Sequence, residues 1–197
     1  MSEQYIISIG REFGSGGHEI AEKLAERLQI PMYDRNMLDT IAEEKNIDAK
    51  QLQRLDEKPR NPILSRRVNG YSNSLAEIVA DMQFEYIKNK ADSGESFVVV
   101  GRCAESVLKD YDGVISLFIL GDKSCKIERV MEKYNLSKDE AVTKMTRHDK
   151  TRKHYHNSHA KSKWGDSRTY DLCINSSRLG VEGTVDLLEE YVKKRTK

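Results

Sequence analysis

The sequence lacks the apolar runs of a membrane protein and the N-terminal features of an exported one. None of its apolar segments approaches the ~18 residues that a membrane-spanning helix needs. Its first ten residues, MSEQYIISIG, contain no basic region, apolar signal segment or cleavage site. We therefore expect no membrane partner and a cytoplasmic location.

Cysteine and net charge are also scarce. Only three cysteines are present, Cys103, Cys125 and Cys173, and their spacing is not that of a metal site or a disulfide framework, which favours free thiols in a reducing compartment. One third of the residues are charged, yet the formal net charge is only +1. That balance argues against a general polyanion binder, so nucleic acid is not an expected partner. Nothing in the sequence indicates an oligomeric state.

Short apolar runs alternate with segments of helical periodicity along the 197 residues. The runs predict buried strands because they are short, rich in β-branched residues and closed by turn residues. The predicted strands are Tyr5–Ile9, Ile30–Tyr33, Phe97–Val100, Val114–Leu120 and Tyr170–Ile174. The predicted helices are Gly17–Leu28, Ser74–Lys90, Lys123–Tyr134, one opened by the capping box Ser137–Glu140, and Val181–Lys194. This alternation predicts parallel strands joined by right-handed crossovers in an open α/β sheet.

A glycine-rich loop, GREFGSGGHEIA, lies between the first predicted strand and the first predicted helix. Gly14, Gly16 and Gly17 give its backbone the freedom to turn its N–H groups toward a ligand beside a positive helix end. This pattern predicts an anion site. A tight turn that binds nothing is the alternative.

Four segments together resemble the cytidylate-kinase-like family of P-loop nucleoside-monophosphate kinases. They are IISIGREFGSGGHEIAEKLAERLQIPMYDR, FVVVGRCAESVL, RHDKTRKHY and YDLCINSSRLG, and they span nearly the whole chain. The resemblance implies a three-layer α/β/α P-loop NTPase fold with a five-stranded parallel sheet in the order 2-3-1-4-5. It also implies a single domain over residues 1–197, with an acceptor-side helical insertion at 46–90, a lid at 144–164, and ATP and Mg²⁺ as cofactors.

The loop departs from the family pattern GxxGxGKGT at its lysine and threonine. Aligning the glycines places Gly17 on the lysine, Glu19 on the threonine and Arg11 on the first glycine. Arg11 and His18 are then the nearest replacement cations, and Arg11 is favoured because it is always charged and binds phosphate as a fork. The predicted phosphate-binding and ATP-binding residues are Arg11, Gly14, Ser15, Gly16, Gly17 and His18. No magnesium ligand can be named from the sequence.

Three arginines are predicted to be catalytic. Arg102 follows the strand FVVV, and the resemblance implies that it binds the phosphate of the acceptor; a pairing with Asp or Glu is the alternative. Arg147 and Arg152 lie in the most basic segment of the chain, Lys144–Lys163, which resembles the lid of these kinases. We predict that both contact phosphate. The alternatives are a solvated helix face and, with Tyr155 and Trp164, a nucleic-acid patch.

Two polar turns complete the predicted site. Asp34 and Arg35 lie where related kinases open the acceptor site, although Asp34 could equally cap the next helix. Asn175 and Ser176 follow the last strand, where the family places the adenine, although a polar connector is an equal alternative. The sequence thus predicts a kinase that transfers a phosphoryl group from ATP to a nucleoside monophosphate or another small metabolite. A non-catalytic nucleotide-binding or phosphate-binding regulatory protein is the alternative.

Overall fold

A computed structural model of the protein describes residues 4–56, 67–68, 71–72 and 74–196. Its strands are β1 Ile6–Arg11, β2 Met32–Tyr33, β3 Arg67–Val68, β4 Tyr71–Ser72, β5 Phe97–Val100, β6 Val114–Leu120 and β7 Leu172–Asn175. Five of them form one sheet in the order β2-β5-β1-β6-β7, and every pairing in it is parallel. The other two, β3 and β4, pair with each other as a short antiparallel ribbon.

Helices cover both faces of the sheet. They are α1 Gly17–Leu28, α2 Met37–Lys45, α3 Ala49–Leu55, α4 Leu75–Asp92, α5 Ala104–Val107, α6 Lys123–Tyr134, α7 Lys138–His159 and α8 Gly180–Arg195. Alternate residues of β1 enter two separate cores: Ile7 and Ile9 pack with α1 and α8, whereas Ile6 packs with α2, α3 and α4. No helix among the described residues is both long enough and apolar enough to cross a membrane.

The predicted fold is confirmed. Counted in chain order, the five strands of the sheet have the order 2-3-1-4-5, and helices on each side make three layers. The predicted bounds of α1, α6, β5 and β6 agree with the structure to the residue. The capping box is also present, because the Ser137 side chain accepts from the backbone of Glu140 while the Glu140 carboxylate accepts from the backbone of Ser137.

The two segments predicted to be an insertion and a lid differ in their secondary structure. Residues 46–90 include α3, the ribbon β3–β4 and most of α4, whereas Pro59 and Pro62 lie outside the described residues. The segment 144–164 begins inside α7, which runs unbroken to His159. Most of the predicted lid is therefore the C-terminal part of a long helix, and its residues Asp149 and Arg152 contact the end of β1 and the loop that follows it.

Candidate active site

A cleft of about 920 Å³ opens at the carboxyl end of the parallel strands, where ligands bind in open α/β sheets. The loops after β1, β2 and β5 and the helices α6 and α7 line it. Nine of the residues singled out from the sequence line this cleft: Arg11, Gly14, Gly16, Gly17, His18, Asp34, Arg35, Arg102 and Arg152. Four others do not line it: Ser15, Arg147, Asn175 and Ser176.

The glycine-rich loop presents backbone N–H groups to the cleft. Gly14 and Gly16 have φ angles of 83° and 79°, in the left-handed region that favours glycine. Gly16 is also the N-cap of α1. Within the described residues, the N–H groups of Gly14, Gly16 and His18 donate no hydrogen bond. Three N–H groups at the positive end of a twelve-residue helix can bind an anion.

Ser15 shapes the loop from inside. Its side chain is fully buried, its hydroxyl donates to the carbonyl of Glu12 at 2.9 Å, and it accepts from the N–H of Gly17 at 3.3 Å. Ser176 is fully buried as well and donates to the carbonyl of Ser15 at 2.5 Å. In this arrangement both serines hold the loop to the end of β7 and do not face the cleft.

Arg11 occupies the space that a side chain at position 17 would need. A Cβ added to Gly17 would lie 2.6 Å from the Cβ of Arg11, closer than real Cβ atoms approach. The side chain of Arg11 then extends along the sheet edge, since one of its Nη atoms would lie only 2.3 Å from a Cβ added to Gly101. The guanidinium of Arg11 is thus placed beside the end of β5, and the two glycines leave the room for it.

Helix α7 is fastened to the glycine-rich loop. Asp149 accepts a hydrogen bond from the N–H of Phe13 at 2.7 Å, and Arg152 donates to the carbonyl of Arg11 at 3.4 Å. The rings of Phe13 and His148 stack with their centroids 4.3 Å apart and an interplanar angle of 7°. These contacts bring one face of α7 onto the loop and place the charge of Arg152 at the cleft.

Burial raises the pKa of Asp149, and this effect exceeds the opposing ones of the Phe13 N–H and of Arg152. A carboxyl whose pKa is raised by folding stabilises the fold at low pH, and this contribution is lost as the pH rises through the folded pKa. Asp149→Asn keeps an acceptor for the Phe13 N–H and removes the charge. We expect it to unfold in urea at pH 8 with a free energy equal to or above that of the wild type.

Asp149→Ala is the matched comparison for that measurement. It leaves the N–H of Phe13 without its acceptor, so the free energy of unfolding should fall by about 1–2 kcal/mol. The advantage of the asparagine variant over the wild type should also shrink between pH 8 and pH 5. If the free energy of unfolding falls equally in Asp149→Asn and Asp149→Ala, the charge of Asp149 itself stabilises the loop.

The sequence reasoning missed Arg129, a cleft residue on α6. Its guanidinium donates to the carbonyl of Gly14 at 3.0 Å and would lie 2.8 Å from a Cβ added to Gly16. Lys126, three residues earlier, pairs with Glu12 at 2.7 Å. Two cations at i and i+3 share one helix face, and this spacing was the available signal.

Arg102 is buried and paired. Its two Nη atoms lie 2.6 and 2.9 Å from the two carboxylate oxygens of Asp56, which follows α3. The side chains are 3% and 8% exposed. The alternative that the sequence left open for Arg102, a pairing with an acidic residue, is therefore present. A buried pair of this kind costs about 3–5 kcal/mol to break by removing one partner.

Asp34, Arg35 and Asn36, in the turn that follows β2, line one edge of the cleft. The Asp34 carboxylate accepts from the N–H of Asn36 at 2.8 Å and lies 3.8 Å from the Nε2 atom of His18. His18 also lies 3.2 Å from Glu22. Arg35 is exposed at this edge. Asp34 thus orders the turn before α2 and lines the cleft, as its predicted acceptor-site role requires. The alternative that it caps this helix is wrong, because the N-cap of α2 is Asn36.

Arg147 and Asn175 lie away from the cleft. Arg147 is an exposed residue of α7. The amide of Asn175 donates to Asp122 at 2.8 Å, and its oxygen accepts from the N–H of Ser177 at 3.0 Å. Asn175 thus organises the turn after β7.

A five-stranded parallel sheet of this order, with a glycine-rich loop between β1 and α1, defines a P-loop α/β fold of the kind found in small-molecule kinases. The sequence pattern of the cytidylate kinase-like family matches residues 6–178. The chain belongs to this family. A cytidylate kinase of Methanococcus vannielii is 22% identical over 191 residues, which cover 95% of this chain and 99% of that protein.

Two solved structures illustrate the range of similarity. An uncharacterized protein from Eubacterium ventriosum is 41% identical with a TM-score of 0.76, and the match covers 96% of this chain and 99% of that one. A shikimate kinase from Bacteroides thetaiotaomicron has the same fold with 14% identity and a TM-score of 0.56, over 96% of this chain and 98% of that one.

Proposed function

We infer that the protein is an ATP-dependent phosphotransferase whose acceptor is a nucleoside monophosphate or another small metabolite. One observation carries this inference. The N–H groups of Gly14, Gly16 and His18 and the guanidinium groups of Arg11 and Arg152 border the same cleft. Phosphoryl transfer consists mainly of positioning and charge stabilisation, so converging N–H groups and arginines are what it requires.

The cleft divides into two parts. We define the donor half by the glycine-rich loop and α6, with Gly14, Gly16, Gly17 and Arg129, and assign it to the phosphates of ATP. The acceptor half is defined by the turn after β2 and the end of α3, with Asp34, Arg35, Asn36, Gln53, Asp56 and Arg102. Arg11 and Arg152 border both halves and would stabilise the transferred phosphoryl group. The base-binding role predicted for Asn175 and Ser176 has no support from their positions.

Magnesium would enter with the donor phosphates. Mg²⁺ prefers oxygen ligands, commonly one or two carboxylates together with phosphate oxygens. Glu19, at the position of the family's threonine, lines the cleft on the first turn of α1. Glu12 also lines it, but its carboxylate already accepts from Lys126 and from the N–H of Gly121. The donor set therefore suits Mg²⁺ best at Glu19, where the bound ion would neutralise phosphate charge.

A non-catalytic nucleotide-binding protein is the second candidate, and a specific observation favours it. The lysine that normally bridges the terminal phosphates is replaced by Gly17, and the structure leaves no room there for a side chain. A loop of this kind could retain phosphate through its N–H groups while positioning it too loosely for transfer.

One experiment separates the two candidates. Purified protein is incubated with ATP and Mg²⁺ across a panel of nucleoside monophosphates and small alcohols, and ADP formation is measured beside the affinity for ATP. A phosphotransferase should form ADP with at least one acceptor and lose this activity in Arg11→Ala. Lys23→Ala, on the outer face of α1 where Lys23 pairs with Glu182, is the control and should not change the rate. ATP affinity without turnover on any acceptor would favour the regulatory protein.

A further inference from the structure

The Asp56 carboxylate takes the position on Arg102 that an acceptor phosphate would need. Both carboxylate oxygens contact the two Nη atoms of the guanidinium, at 2.6 and 2.9 Å. Phosphate and carboxylate bind a guanidinium in the same bidentate way, so the two anions compete for one fork. With side chains only 3% and 8% exposed, the pair is shielded from the water that would weaken it.

Other helices hold Asp56 in this position. The amide of Gln83, a fully buried residue of α4, donates to an Asp56 oxygen at 3.4 Å. The hydroxyl of Tyr155 on α7 donates to the Gln83 oxygen at 3.5 Å. Asp56 thus connects Arg102 to a chain of polar contacts that runs through Gln83 to Tyr155 of α7.

The backbone holds Arg102 for the same contact. Gly101, Arg102 and Cys103 have φ angles of 78°, 61° and 52°, three consecutive residues in the left-handed region. Non-glycine residues adopt this conformation rarely, and strained backbone of this kind persists where the surrounding structure imposes it. The tight turn after β5 therefore aims the guanidinium at the end of α3.

Arg11 and Arg152, which border both halves, are assigned to the transferred phosphoryl group. The described remainder of the acceptor half adds one cation to Arg102, the exposed Arg35. Asp34 contributes a second carboxylate there, and Asn36 and Gln53 are neutral. Arg35 is exposed at the edge of the cleft, and His18 lies next to Glu22 and Asp34. Carboxylate and amide oxygens accept hydrogen bonds, so these groups suit a ligand that donates through hydroxyl groups.

We propose that Asp56 determines acceptor specificity: it neutralises Arg102, so that the acceptor half admits a hydroxyl-rich compound without phosphate and disfavours a nucleoside monophosphate. This inference rests on the proposed function and names the acceptor class of the same cleft. It assigns Arg102 to positioning Asp56 and the end of α3, and not to the binding of an acceptor phosphate.

Cytidine and CMP form a matched pair of probes, since they differ only in the phosphate. Their affinities are measured by calorimetry with Mg²⁺ and a non-hydrolysable ATP analogue filling the donor half. The wild type should bind CMP no more tightly than cytidine. Asp56→Asn should bind CMP at least about tenfold more tightly than the wild type does, as one new charge-assisted contact provides. Adding Arg102→Ala to that variant should remove the gain.

Asp92→Asn is the control, because Asp92, at the end of α4, accepts from the Tyr111 hydroxyl and lies outside the cleft lining. It should leave the affinity for CMP unchanged. An unchanged CMP affinity in Asp56→Asn would overturn the proposal. So would a wild type that binds CMP ten or more times as tightly as cytidine, a comparison that needs no variant and holds even if Asp56→Asn fails to fold. Binding of the ATP analogue is recorded separately, so failure of the donor site is distinguished from failure of this assignment.

Discussion

We expect Gly17→Lys, which restores the lysine of a standard phosphate loop, to weaken ATP binding and to lower any transfer rate by ~10²-fold, the scale of displacing a positioning group by about 1 Å. The reason is steric. A Cβ at this position would lie 2.6 Å from the Cβ of Arg11 and 3.2 Å from the Cβ of Ile119. Both neighbours are close to the backbone and cannot swing away, so the loop or the end of β1 must shift.

The smallest version of the same clash is Gly17→Ala, which adds the Cβ alone. Overpacking of this kind costs about 1–3 kcal/mol, to be measured as a lower free energy of unfolding in urea. His18→Lys is the matched control for charge. It adds an amine one residue later, where the side chain is 46% exposed, and should not reduce stability.

The paired exchange Arg11→Gly with Gly17→Lys gives the sharpest measurement. Glycine at position 11 removes the Cβ that would clash at 2.6 Å together with the rest of the side chain, which alanine would not do, so the double variant should bind ATP more tightly than either single variant. Such a recovery is a coupling between two contacting residues, measured by a double-mutant cycle. Additive losses would mean that Arg11 does not occupy the lysine's place, and that the loop holds phosphate through its N–H groups alone.

The fold could be predicted from the sequence because its signals are local. The strand Phe97–Val100 is four buried apolar residues in a row, and Val114–Leu120 is apolar except for Ser116. The start of α7 follows from the capping box at Ser137. Each of these patterns lies within a few residues of the element that it specifies, so no tertiary information is needed.

The site was only partly predictable, because its decisive contacts join residues that are far apart in sequence. Asp56 lies 46 residues before Arg102, and no periodicity links the two. Arg129 meets Gly14 across 115 residues. Ser176 was predicted to bind the base, but its hydroxyl donates to the carbonyl of Ser15. A serine in a polar turn gives no sign in the sequence that its side chain points inward. Such pairings depend on how helices and loops pack, and a single sequence does not encode that packing locally.

Arg147 and Arg152 were each predicted to contact phosphate, and helix geometry makes it difficult for both to do so. Five residues of an α-helix turn through about 500°, which leaves the two side chains about 140° apart. In the structure, Arg152 faces the glycine-rich loop, where it donates to the carbonyl of Arg11 and lies 5.5 Å from the ring centroid of Phe13. Arg147 is exposed.

We therefore expect Arg152→Ala to lower the transfer rate by ~10²-fold or more, the usual scale for one preorganised charge contact in a transition state. Arg147→Ala, the same substitution on the same helix, should change the rate by less than about twofold, because Arg147 is exposed and does not line the cleft. Both are measured as ADP formation with the best acceptor of the panel, with the affinity for ATP determined separately.

Comparing the loss of kcat with the loss of ATP affinity in Arg152→Ala shows at which stage of the reaction Arg152 contacts phosphate. If its charge acts mainly on the transferred group, Arg152→Ala lowers kcat far more than it weakens ATP binding, whereas a contact made equally with bound ATP raises KM. Arg152→Lys keeps the positive charge but not the planar pair of N–H donors of a guanidinium, so it should recover only part of the rate. Equal losses in Arg147→Ala and Arg152→Ala would contradict this geometry. They would require α7 to turn or move before transfer, so that both arginines reach the phosphates in the reacting complex.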